Sequence, residues 1–95
     1  MSAPRELQSI GINIFITHFE TFYKLKNRID IAKFCIENKI SNESGALIRG
    51  GYMEQVINNK NILKECLNYI IYQSKKTSQD NKNKAKYILD NIDSY

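Results

Sequence analysis

The sequence predicts an all-α fold, a single small irregular bundle of five to six helices over residues 1–95. Three observations predict it. Apolar residues recur three and four positions apart along most of the chain, the spacing that lines up one face of a helix. Glycine occurs four times and proline once, whereas all-β domains need many tight turns that favour both residues. Polar clusters containing Ser, Asp or Asn precede the apolar runs, and their side chains can accept hydrogen bonds from the free N–H groups of a helix start. A chain of 95 residues has room for one core, and 42% hydrophobic and 11% aromatic residues supply it.

Pro4 suits the first turn of an opening helix, because its missing N–H would be unpaired there anyway. Glu6 adds a negative charge near the positive end of the helix dipole. Leu7, Ile10, Ile14, Phe15, Phe19, Phe22, Tyr23 and Leu25 then form a wide stripe at helical spacing, ended by the cationic Lys24–Arg28 stretch. A strand competes over Ile10, Ile12, Ile14 and Ile16, which alternate and are β-branched. Helix is preferred because only a period of 3.6 carries the pattern on through Leu25. Phe15, Phe19 and Phe22 are expected at the centre of the core.

The second helix is expected to start with Asp30 as its N-cap, with Ile29 and Phe34 as a hydrophobic staple. Ile31, Phe34 and Cys35 would be its buried face. Ser41-Asn42-Glu43-Ser44 opens a short third helix carrying Ala46, Leu47 and Ile48, which Gly50-Gly51 should stop. Another short element carries Tyr52, Met53, Val56 and Ile57 and closes at Asn58-Asn59. Asn61 is the expected cap of a helix with Leu63, Cys66, Leu67, Ile70 and Ile71 on one face. The polar stretch Ser74–Asn83 reads as a loop, with a last helix starting at Ser78 or Asp80 and presenting Ala85, Ile88, Leu89 and Ile92.

The chemistry-bearing residues do not assemble into a catalytic pattern. His18 is the lone histidine, and Glu20 two positions on points elsewhere on a helix, so no base and orienting partner converge. Cys35 and Cys66 match no zinc or redox spacing and fall on apolar stripes, which predicts free buried thiols and a reducing compartment. Asp90 and Asp93 read as solvated surface acids. Arg49-Gly50-Gly51 lacks the preceding strand and the motif of a phosphate-binding loop, so a plain helix connection is the better reading. The expectations are therefore no enzyme, no cofactor and no metal. The longest apolar-rich stretch, Ile10–Phe19, is far shorter than the ~20 residues of a membrane span. With no signal peptide pattern, the expected location is the cytoplasm.

Formal net charge is +4, a mild excess. Lys75, Lys76, Lys82, Lys84 and Lys86 crowd into twelve residues opposed by Asp80 alone, flanked by Tyr69, Tyr72 and Tyr87. Such a segment could hold phosphates and stack bases, but it lacks arginine, the usual base reader. A helix-turn-helix over Ile31–Ile48 is disfavoured because its second helix would last about two turns before Gly50, too short for the major groove.

In size, helical character and sparse chemistry the chain resembles, as a class and through no particular residue, the small bacterial or phage inhibitors that include immunity proteins and antitoxins. The leading expectation is a protein-binding module that neutralises a toxin or another protein partner. Its contact would use exposed tyrosines, Tyr69 and Tyr72 among them, and the turn around Arg49–Tyr52, since Tyr and Arg are favoured interface anchors. The positive charge runs against an inhibitor of cationic nucleases, which should be acidic at the contact. The competing expectation is a nucleic-acid-binding regulator acting through Lys75–Lys86, and a homodimer is a third.

Overall fold

A computed structural model describes residues 3–94, and among these every regular element is helical. Seven α-helices follow in order: α1 (Arg5–Ile10), α2 (Ile12–Thr17), α3 (Phe19–Leu25), α4 (Arg28–Glu37), α5 (Glu43–Ile57), α6 (Lys60–Tyr72) and α7 (Gln79–Asp90). A 3₁₀ turn, Ile92–Ser94, ends the described chain. The fold is the all-α bundle expected, with the opening helix divided in three and two short elements fused.

The single helix expected from Pro4 to Leu25 is broken at Gly11 and His18. Gly11 has φ 93° and ψ 128°, a backbone setting that a side chain disfavours, so the chain turns between α1 and α2. His18 ends α2 and starts α3 in a near-bridge conformation. The isoleucines that suggested a strand are helical throughout, apart from the turn at Gly11. The breaks let three short rods wrap the core instead of one long rod crossing it. Phe15, Phe19 and Phe22 are all buried as expected, and Phe15 and Phe19 meet at 5.6 Å between ring centroids.

Asn27, not Asp30, caps α4. Its Oδ1 accepts the Asp30 N–H at 2.9 Å, and its Nδ2 donates to Asp30 Oδ2 at 2.7 Å. Asp30 thus orients the capping side chain, while the Asn27 N–H donates to the Leu25 carbonyl at 2.8 Å. The helix starts three residues early, which places Ile29 inside it and exposed, so the Ile29–Phe34 staple does not form. Helix α4 ends in a Schellman turn built on Lys39, which takes φ 57° where glycine is usual. The Ile40 N–H reaches back to the Cys35 carbonyl at 2.8 Å, closing it.

Asn42 caps α5 from within the cluster that signalled it, accepting the Gly45 N–H at 2.8 Å. Gly50-Gly51 does not stop this helix; both glycines sit inside it. A Cβ at Gly50 would lie 2.6 Å from the Arg28 carbonyl oxygen. Glycine there is a contact point where α4 presses its backbone onto α5, not a terminator. The Glu54 carboxylate accepts the Arg28 N–H at 2.8 Å, and the two helices close an αα-hairpin. With 15 residues, α5 has the length that seemed lacking for a recognition helix, but its central turn is committed to α4 through Gly50.

Asn59 caps α6 two residues before the expected Asn61, accepting from the N–H groups of Asn61 and Ile62. Of the two expected starts, Ser78 and Asp80, it is Ser78 that caps α7. Helix α6 buries Leu63, Cys66, Leu67 and Ile70 against α7, which contributes Ala85 and Ile88. These residues join one core with Leu7, Ile10, Ile31, Ala46, Met53 and Val56.

Candidate interaction surface

The residues singled out from the sequence do not gather in one place. Arg49 is half-buried: its Nε donates to the Ile10 carbonyl at 2.9 Å and its Nη1 to the Ser41 hydroxyl. Ile10 is the last residue of α1, so its carbonyl lacks a partner within a regular helix. Arg49 therefore ties α5 to the end of α1 and to the α4–α5 connection, and its donors face the protein. Tyr52, one turn on, is half-buried on the rim of the α4–α5 hairpin.

The five lysines do not share one face. Lys75 and Lys76 are exposed in the α6–α7 connection. Lys82 and Lys86 lie one turn apart along α7. Lys84 is turned to the opposite side, where its Nζ reaches Glu20 Oε2 at 3.0 Å and the Thr17 carbonyl at 3.3 Å. It fastens α7 to the α2–α3 break. Tyr69 is half-buried, whereas Tyr72 and Tyr87 are 73% and 65% exposed on different helices. The linear basic segment is thus divided: Lys84 is engaged at the α2–α3 break, and Lys82 and Lys86 lie on the other side of α7.

Four aliphatic side chains that the sequence reading assigned to the core side or passed over are prominent instead. Ile29 is 49% exposed and Ile36 43% on α4, and Leu47 is 42% and Ile48 56% on α5. Ile29 and Ile36 are seven residues apart and so share a helix face. On α4 the contact with α5 runs through Arg28 and Ala32, and Ile29 and Ile36 flank that line on its outer side. On α5 the contact runs through Gly50 and Glu54, and Leu47, Gly51 and Ile48 flank it in the same sense. Ile29, Ile36 and Leu47 thus border the outward seam of the hairpin, with Ile48 farther round α5. An open groove of about 330 Å³ lies beside them, lined by Arg28, Leu47, Ile48, Gly51, Tyr52 and Gln55. The signal in the sequence was an excess: α4 and α5 carry more apolar residues than one buried stripe can use.

His18 is half-buried with its ring against Phe22 and Phe34, at centroid distances of 5.9 and 5.3 Å. Both cysteines are free and buried. Burial pushes the Cys66 thiol up to about 12, with Glu6 and Glu65 adding to the rise. Burial also raises Cys35, with Arg49 opposing. Both thiols hold their protons at neutral pH and are poor nucleophiles there. Among the described residues, no three His, Cys, Asp or Glu side chains converge as metal ligands would. No helix among them is long and apolar enough to cross a membrane.

No protein-family model, curated protein or solved structure matches this chain.

Proposed function

We propose that the chain is a small protein-binding module of the inhibitor or immunity type, and that it holds its protein partner on the outer face of the α4–α5 hairpin. One observation carries this reading: Ile29, Ile36, Leu47 and Ile48 are all exposed on the two helices of one hairpin. Contiguous exposed apolar side chains rimmed by polar groups mark contact surfaces, because leaving them in water forgoes about 25 cal/mol for each Å² that a partner would cover. Arg28 and Tyr52 at the groove supply the residue types that anchor interfaces. The nucleic-acid alternative has less support, since Lys84 is engaged with Glu20 and turned away from Lys82 and Lys86.

The test is co-purification of the tagged chain from its native host and with the products of neighbouring genes. Wild type is compared with a Leu47→Glu, Ile48→Glu variant and with a Lys82→Gln, Lys86→Gln variant. The expected result is one stoichiometric protein partner, retained by the lysine variant and lost from the glutamate variant. Circular dichroism checks that both variants stay helical. A dimer seen by sedimentation and abolished by the glutamate changes would reassign the face to self-association. Steeply salt-dependent binding to nucleic acid, lost in the lysine variant, would replace this reading with the alternative.

A further inference from the structure

A second feature lies away from the α4–α5 face. The turn at Gly11 and the α6–α7 connection meet along two open grooves of about 350 and 440 Å³, which share Ile12, Ser74 and Lys76. Leu7 extends the apolar floor of the first and Tyr69 that of the second, where Lys75 joins the rim. Neither groove is lined by an aspartate or a glutamate.

The two lysines are held in place. Ser74 and Thr77, on either side of them, are both buried, and their hydroxyls are hydrogen-bonded to each other at 2.5 Å. The Ser74 N–H donates to the Tyr69 carbonyl at 2.9 Å, fixing the start of the connection to the end of α6. Lys75 and Lys76 therefore project from a pinned turn, so little backbone order remains to be imposed on binding.

We propose that these joined grooves bind a short acidic segment of a protein, its carboxylates on Lys75 and Lys76 and an apolar side chain on the half-buried Ile12 and Tyr69. Charge complementarity names the occupant: a cationic rim without a carboxylate attracts an anion, and an apolar floor favours a peptide side chain over a bare phosphate. A nucleic-acid strand would need a longer track of cations, and Lys82, Lys84 and Lys86 line neither groove.

The test uses the full chain, labelled with ¹⁵N, and a synthetic peptide of alternating glutamate and leucine. A glutamine-for-glutamate peptide and a short oligothymidylate serve as comparisons. The acidic peptide is expected to shift the amides of Ile12, Lys75, Lys76 and Thr77, and to bind more weakly as salt rises. Its affinity should fall at least about tenfold in Lys75→Gln, Lys76→Gln and stay nearly unchanged in Lys82→Gln, Lys86→Gln, which removes the same charge away from the grooves. Equal binding of the glutamine peptide, shifts confined to α4 and α5, or no binding at low salt would each overturn the proposal. Tighter binding of the oligothymidylate at the same amides would overturn it in favour of a nucleic-acid site.

Discussion

The two hairpins of this protein use their apolar residues differently. In α6–α7 the separation is sharp: Leu63, Cys66, Leu67, Ile70, Ala85 and Ile88 face the core, and the exposed sides are mostly polar. In α4–α5 apolar side chains run round both helices, with Ile31, Cys35, Ala46 and Met53 inside and Ile29, Ile36, Leu47 and Ile48 outside. The first hairpin has what folding requires. The second has that and a surplus, and the surplus lies on one surface. Its helices also meet more closely, backbone on backbone at Gly50, because no side chain intervenes.

Four substitutions would break or sharpen this contrast. The largest effect belongs to Ile70→Ala, which empties a fully buried site in α6 and should lower unfolding free energy by about 3 kcal/mol in a denaturant titration. Next comes Gly50→Ala, which drives a methyl group into the Arg28 carbonyl. A loss of about 2 kcal/mol is expected, and an unchanged midpoint would mean that the hairpin is not packed this tightly. Gly51→Ala has the opposite sign. Its Cβ would meet only the flexible Arg28 Cδ at 3.4 Å, so the gain in helix propensity should show as about 0.5–1 kcal/mol of added stability. The smallest change is expected for Ile48→Ala, within about 0.5 kcal/mol, although it removes the same atoms as Ile70→Ala. If Ile48→Ala costs as much as Ile70→Ala, the outer face is part of the fold and not a surface held ready for a partner.

The sequence showed the fold class and the core more clearly than the boundaries or the site. Helical periodicity located Phe15, Phe19, Phe22, Leu63, Cys66 and Ile70, because core burial imposes that period directly. Ser78 was readable as a cap because a polar stretch sets it off, but the asparagines were not. Asn27 and Asn59 cap α4 and α6, and the rival acceptors Asp30 and Asn61 stand close enough in sequence to take their place. Glycine misled in both directions. Gly11, embedded in an unbroken apolar pattern, interrupts a helix, and Gly50-Gly51, which looked like a stop, continues one. A glycine's role depends on what packs against it, and that is set by tertiary structure. The same holds for Arg49: its partners Ile10 and Ser41 come from two other segments, so nothing local marked it as a clasp.

That clasp bears on the order of assembly. The α4–α5 hairpin closes across residues 38–42, so its two helices can meet at small entropic cost. The Arg49–Ile10 hydrogen bond joins residues 39 positions apart, and closing that longer loop costs about 2 kcal/mol more. The Lys84–Thr17 bond spans 67 positions. The contact between α4 and α5 is thus the local one, whereas the tie from Arg49 to α1 depends on a segment far away in sequence. A surface formed from nearby residues closes a shorter loop than either of these long-range ties.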